Sequence, residues 1–534
     1  MTSNRARTTR AACALVAAIS LAAILLFEPG CRRAPAAFKH VIFFIGDGMS
    51  AETEIAASRY LYGKDDGLVW QTLPSRAYVA TWDVNTYNGH ARRAGRPPYS
   101  RSSFTPVLGY DVRADGAKPM VGPDASRRFP PGPATDSASA ATALATGFKT
   151  DSGNIAWLPG DPPDGRLETI LEELRARTGA GIGVISTVPF DHATPAAFVS
   201  HNTSRSAYYT GLRGTKGLGI ADEIILRTKP DVVIAGGSPL LDNPGFDAKK
   251  GYISESLYRT LQTSREYLLV ERKPGQDGGK AIVEGAAEAA REGRKLFGLF
   301  GGKGGNFEVP RVEDSPGRPR VTPGSEENPS LAQATEAALD YLGRDPDGFF
   351  LVVEQGDIDW ANHDNDFRAM VGSVADLDGA VRAALAFVDR PGDDIDWTNT
   401  VLLVTADHAT GGLFLDPDKP LGLGELPRQE ARVDEKETPP PVGSDRGPAE
   451  NGVVLKKPDY ASPYVYPDEE VSYGTAGHTN ELVDLAVMGA AAPTFMKFRG
   501  SWYPGPILDN TQINAALREA LGLPALGHHP RRAG

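Results

Sequence analysis

Cysteine is almost missing from this chain, with two in 534 residues. So few cannot form a disulfide framework, and stability has to come from a buried core. Positive charge is also short. Lys and Arg number 56 against 68 Asp and Glu, which gives a net charge of −12 and a pI near 5.4. A chain of this sign lacks the basic footprint that general nucleic-acid binding requires. An anionic substrate stays open, because bound metal ions reverse the local field. Histidine is sparse at nine residues, and no internal repeat is present. The apolar stretch Ala11 to Phe27 is short for a membrane-spanning helix.

That stretch follows Arg5, Arg7 and Arg10 and gives way to a polar, Pro-rich segment, the pattern of an export signal. An uncleaved N-terminal anchor has the same ingredients. Cys31 follows Gly30, where a bacterial lipoprotein carries its acylated cysteine, although Glu28 and Pro29 fit that pattern badly. The expectation is that residues 1–31 are a signal peptide or lipoprotein signal. The protein is then exported: periplasmic, held to a membrane through Cys31, or extracellular.

The length, with 41% hydrophobic residues, 59 Gly and 42 Pro, allows one large domain with insertions or two to three domains. His40–Ser50 (HVIFFIGDGMS) reads as a buried parallel strand ending in a turn. Further strands are expected at Gly181–Thr187, Asp231–Ala235, Leu296–Phe300, Phe349–Val353 and Thr400–Thr405. Helices are expected at Ser137–Ala145, Leu167–Thr178, Ala332–Leu342 and Phe367–Val388. The last has apolar residues at Phe367, Val371, Val374, Val381, Leu385 and Val388, which suit one buried face. Strands alternating with helices imply an α/β fold: a central, mostly parallel sheet with helices on both faces. Residues 38–525 are expected to form a single catalytic domain with insertions at 85–133 and 409–473. Residues 85–133 are rich in Arg, Gly and Pro without a period and read as an insertion or long surface loop. The chain looks frayed from about Gly522, with a tail at 526–534.

Ligands of such sheets bind beyond the carboxyl ends of the strands. Asp47, Glu354 and Asp407 sit at those ends and can converge. Ser137 follows Asp136 and opens a helix of small residues, whose free N–H groups and partial positive charge suit a phosphoryl oxygen. An Asp-Ser pair can equally be a simple helix cap. Asp407 and His408 could both turn into a cleft, or form a hydrogen-bonded loop pair. Asp359 and His363 stand four apart, on one face if that segment is helical. Carboxylate plus imidazole is a common mixed zinc set, and Glu354 supplies a hard oxygen better suited to Mg²⁺. The same acidic stretch could be a solvated loop, although apolar flanks on both sides argue against that. His478 in GTAGHTNE carries little weight by position alone. The fork of Arg205 could hold two phosphate oxygens.

Taken together, IGDGM, TDSASAATALATG, ATPAAFVSH with the following SR, the Glu354-Asp359-His363 block and TADH resemble the alkaline phosphatase family and occur in its order. The likeness runs from about His40 to Met488. It implies a phosphate monoester hydrolase in which Ser137 is the nucleophile and forms a phosphoserine. It implies that Asp359, His363 and His478 hold one Zn²⁺, and that Asp47, Asp407 and His408 hold a second. Asp47 would also bridge to a third site, of Mg²⁺ type, completed by Glu354 and Thr194. Arg205 would bind the non-bridging oxygens, with Asp136 orienting it. His192 stands where one bacterial branch has an aspartate near the magnesium, and other branches have histidine there, so the third ion's identity stays open. Trp360 stands where that branch has a lysine. Small phosphate monoesters are the implied partners, and the family is often a homodimer. A phosphodiesterase or sulfatase of the same superfamily, or a non-catalytic surface protein with a decayed site, are the competing readings.

Overall fold

The computed structural model describes residues 38–110, 134–212, 217–240, 246, 251–302, 304–431 and 463–526. Its alternating apolar and helical segments build a ten-stranded sheet. The strands are β1 (His40–Gly46), β2 (Ser75–Ala80), β3 (Gly181–Pro189), β4 (Val232–Gly236), β5 (Tyr267–Glu271), β6 (Lys295–Leu299), β7 (Phe349–Gln355), β8 (Thr400–Thr405), β9 (Val483–Met488) and β10 (Ile507–Asp509). Across the sheet the order is β10-β2-β9-β8-β1-β7-β3-β4-β6-β5. β9 runs antiparallel to both neighbours, and every other pairing is parallel.

β1 sits near the centre, and all seven of its residues are buried, as expected for a strand covered on both faces. Successive side chains point to opposite faces. The helices that matter for the site are α1 (Ala51–Tyr62), α2 (Val84–Arg93), α3 (Ser137–Thr146), α4 (Ala193–Val199), α5 (Asp357–His363), α6 (Phe367–Val388) and α7 (Asn510–Ala520). Phe43 of β1 packs its ring 6.0 Å from Phe198 of α4. On the other face, a Cβ added at Gly46 would lie 3.2 Å from Leu377 of α6. Helices α3, α4 and α7 therefore cover one side, and α6 with the helix Leu331–Leu342 covers the other. Of the apolar positions expected to face inward on α6, all are buried except the half-buried Leu385. Among the described residues no helix is long and apolar enough to cross a membrane.

The structure departs from the sequence reading at three places. Residues 85–110 are not a loop throughout. Asp83 caps α2 by accepting from Thr86 N at 2.6 Å, and Tyr87 and Ala91 are buried in a second apolar cluster with Trp82, Tyr110 and Tyr503. The aromatic residues do the packing there, and Arg and Gly between them hide the period. The ends of 409–473 are built into the core as antiparallel ribbons. Ala409–Thr410 pairs with His478–Thr479, and Leu413–Leu415 with Val471–Tyr473. At the C-terminus Leu523 is buried, and its N–H donates to Arg518 O at 2.8 Å. The export segment, Cys31, residues 111–133, residues 432–462 and 527–534 lie outside the described residues.

Candidate active site

Three parallel strands end together. Asp47 follows β1, Asp407 lies two residues past β8, and Glu354 lies in β7 in register with Ile45. The turn after β1 locks these ends to one another. Gly48 takes a left-handed φ of 69°, open to glycine without strain. Its N–H donates to Asp407 Oδ1 at 3.2 Å. Its carbonyl accepts from Thr410 N at 3.1 Å and from Asn362 Nδ2 at 3.2 Å. A Cβ at Gly48 would sit 2.7 Å from Asp359 Cα, so only glycine lets α5 come this close.

Helix α5 forms as the four-residue spacing suggested and turns Asp359 and His363 the same way. His363 Nε2 is 3.2 Å from Asp359 Oδ2 and 3.1 Å from His478 Nε2. His478 Nε2 is 3.6 Å from Asp359 Oδ1, and its ring stacks on His408 at 3.7 Å. His408 Nε2 is 3.4 Å from Asp47 Oδ1 and 3.5 Å from Asp407 Oδ2. Two groups have ligand atoms all within 4.8 Å of one another: Asp359 with His408 and His478, and Asp47 with Asp407 and His408.

This donor set fits cations. His363 Nδ1 is 2.6 Å from Ala476 O, and His478 Nδ1 is 2.8 Å from Thr135 O. A carbonyl only accepts, so both Nδ1 atoms carry hydrogen. In the neutral rings the two Nε2 lone pairs then face each other, an arrangement that needs a proton or a cation between them. Asp47 Oδ1, Asp407 Oδ2, Glu354 Oε1 and Thr194 Oγ1 are buried without a well-formed hydrogen bond. Burial, with the charges of Asp407 and Asp359, raises the Asp47 carboxyl well above the usual range. Burial and the same kind of repulsion push Asp407 up to about 8. Burial pushes Glu354 to about 7, against the hydrogen bond from Ser186. Asp359 behaves oppositely: burial is outweighed by His363, His478 and His408, which hold it far below the usual carboxylate range. Burial and His478 keep His408 neutral. Buried carboxylates gathered this way take up protons or coordinate metals.

Ser137 opens α3 on the rim of this cluster. Its Oγ is 3.2 Å from His408 Nε2. Asp136 is the helix cap, accepting from Ser139 N at 3.1 Å, and its other oxygen accepts from Arg205 Nη1 at 3.1 Å. Asp136 therefore caps α3 and holds Arg205 at the same time. Burial works against the Asp136 charge, but Arg205 and bonds from Ser139 and Gly153 bring its carboxyl down to about 2. Arg205 Nη2 reaches His192 Nε2 at 3.4 Å, and the His192 ring lies 6.0 Å from Trp360.

The structure thus gathers Asp47, Asp359, His363, Asp407, His408 and His478 beside Ser137, and ties Arg205 to Asp136 and His192. Glu354 and Thr194 join from β7 and α4. Thr410, Asn362 and Ser186 escaped the sequence reading. Thr410 Oγ1 donates to Asp359 Oδ1 at 2.5 Å, and Ser186 Oγ donates to Glu354 Oε2. Thr410 could have been found, because it stands two residues past His408 and an extended chain turns both to one side.

Comparison with known proteins gives one answer. The alkaline phosphatase family model matches residues 118–440, more than half of the chain. Alkaline phosphatase H of Pseudomonas aeruginosa is 32% identical over 404 residues, 71% of this chain and 71% of that protein. The alkaline phosphatase of Escherichia coli is 29% identical over 402 residues, 71% and 72% of the two chains. Streptomycin-6-phosphate phosphatase of Streptomyces griseus is 27% identical over 526 residues, 92% of each. Among solved structures, Thermus thermophilus alkaline phosphatase aligns with a TM-score of 0.56 at 20% identity over 92% of both chains. A variant of the alkaline phosphatase from the Antarctic bacterium TAB5, with Mg bound in its M3 site, aligns at 0.52 and 18% over 92% of this chain and 99% of that one. These two likenesses speak to the fold.

Proposed function

The chain belongs to the alkaline phosphatase family and hydrolyses phosphate monoesters; we propose that it does so at two Zn²⁺ and one Mg²⁺-type ion through a phosphoserine on Ser137. The observation that carries this reading is the convergence of Asp47, Asp359, Asp407, His363, His408 and His478 on one another, with His408 Nε2 3.2 Å from the Ser137 hydroxyl. Asp359, His363 and His478 would hold one zinc, and Asp47, Asp407 and His408 the other. Asp47, Glu354 and Thr194 would hold the third ion, with His192 nearby. When bound, such ions lower the pKa of a hydroxyl or water and neutralise charge on attacking and leaving oxygens.

The protein groups divide the remaining work. Ser137 Oγ attacks phosphorus, the Oγ–P bond forms, and the P–O bond to the alcohol breaks. The proton given up by Ser137 Oγ ends on the departing alcohol. Water then attacks the phosphoserine, the Oγ–P bond breaks, and phosphate departs with Ser137 restored. Arg205 would grip two non-bridging oxygens with its fork. Asp136 accepts from Nη1 of that fork, so the guanidinium is oriented before substrate arrives. The N-terminus of α3 adds N–H groups facing the same charge. A diester offers one fewer free oxygen to this set, which favours the monoester over the diester reading.

The N-terminal segment supports export, to the periplasm, to a membrane through an acylated Cys31, or to the medium. A homodimer is the expected assembly, and a specific nucleic-acid partner is not. The test of the chemistry compares rates on p-nitrophenyl phosphate and its bis ester, with zinc and magnesium measured on the same sample. Monoester turnover far above diester turnover, with bound zinc, is expected. A preference for the diester would reject the assignment of Arg205 and the third ion.

A further inference from the structure

Thr410 is fully buried between the two groups of candidate ligands. Its Oγ1 lies 2.5 Å from Asp359 Oδ1 and 3.3 Å from His408 Nδ1. A threonine hydroxyl has one proton to give and lone pairs to receive with, whereas an ionised carboxylate only accepts. The proton therefore goes to Asp359. Oγ1 must then accept from His408, which places hydrogen on Nδ1 and leaves Nε2 bare. Nε2 is the atom that faces Asp47, Asp407 and the Ser137 hydroxyl. The backbone of the same residue reaches two more segments. Its N–H donates to Gly48 O at 3.1 Å, beside Asp47, and it stands opposite His478 in the short ribbon.

We propose that Thr410 is a positioning residue that couples the two metal-ligand groups, orienting Asp359 in one while selecting the tautomer of His408 in the other. This rests on the reading of the site as a metal centre. Valine has nearly the shape of threonine without the hydroxyl, so it separates this role from mere filling of space. It would leave Asp359 Oδ1 short of a donor and His408 Nδ1–H without an acceptor. His408 could then turn its bare nitrogen away from the ions.

The experiment uses the full chain and follows zinc occupancy against a chelator that buffers free zinc, for wild type, Thr410→Val and Thr410→Ser. Loss of an outer partner of this kind typically weakens metal affinity about 10- to 100-fold. The valine variant is expected to need that much more free zinc for half occupancy of both sites, with kcat falling more than KM rises. Serine, which keeps the hydroxyl, is expected to restore both. Thr410→Ala serves in place of valine if valine prevents folding, judged by circular dichroism, and the same loss is expected. A wild type that takes up zinc and a valine or alanine variant that takes it up equally well would overturn this proposal alone. A wild type that binds no divalent ion would overturn the metal reading, and this proposal with it.

Discussion

At the residue scale the site is a problem of surplus negative charge. Asp47, Glu354, Asp359 and Asp407 are all buried, and Arg205 is engaged with Asp136. The proposed nucleophile, Ser137, contributes no such charge. Ser137→Ala removes only an oxygen at the rim of the cluster. We expect its turnover of p-nitrophenyl phosphate to drop by about 10³-fold or more, with zinc content unchanged; a rate close to wild type would take Ser137 out of its role. At this scale the sequence was readable wherever a ligand carried a charge or a ring. Asp47, Asp407, Asp359 and His363 are visible as polar punctuation at the ends of apolar runs. His478 was not readable alone, because its meaning comes from a ribbon partner far away in the chain, Thr410. Thr410, Asn362 and Ser186 were missed because a neutral side chain in a loop gives no signal until its partners are in place.

At the element scale the turn after β1 is a tight constraint on the site. Gly48 combines a left-handed backbone with backbone contact to α5. Gly48→Ala would meet both strain and a clash with Asp359 Cα. A loss of about 1–3 kcal/mol is expected for such a position, read as a lower Tm together with weaker zinc retention; a variant with unchanged Tm and zinc would show that the turn yields easily. The central elements were legible because a strand buried on both faces is apolar throughout, as HVIFFIG and VLLVT are. The strands at one end of the sheet were not. β2 (SRAYVA), one in from the edge, carries Ser and Arg, and the edge strand β10 has three residues. α2 was hidden for a related reason, since its buried side mixes Val84, Thr86, Tyr87, His90 and Ala91 and its mean character is polar.

At the scale of the whole molecule, ions and protons compete for the same buried oxygens, and this sets the pH dependence of stability. In the metal-free chain Asp407 titrates near 8 and Glu354 near 7, and Asp47 is raised too. Their unfolded values lie near 4. The folded state therefore holds more protons than the unfolded state between these limits, and stability falls as pH rises from about 4 to about 8. Once divalent ions occupy the site, protons displace them at low pH, and the slope reverses. Thermal melts from pH 5 to 8 are expected to show Tm falling with pH in chelator and rising with pH in zinc and magnesium. Parallel curves in both conditions would mean that these carboxylates do not meet the ions.

The ribbon that joins Ala409–Thr410 to His478–Thr479 acts as a clasp at the neck of a long excursion of the chain. With the neck fastened, residues beyond it have little mechanical leverage on His408 or His478. Doubling the length of a flexible loop costs only about 0.6 kcal/mol. Descendants of this sequence can therefore lengthen, shorten or rewrite the stretch beyond the second ribbon, Leu413–Leu415 with Val471–Tyr473, and acquire new surfaces there, while the reaction centre below keeps its shape.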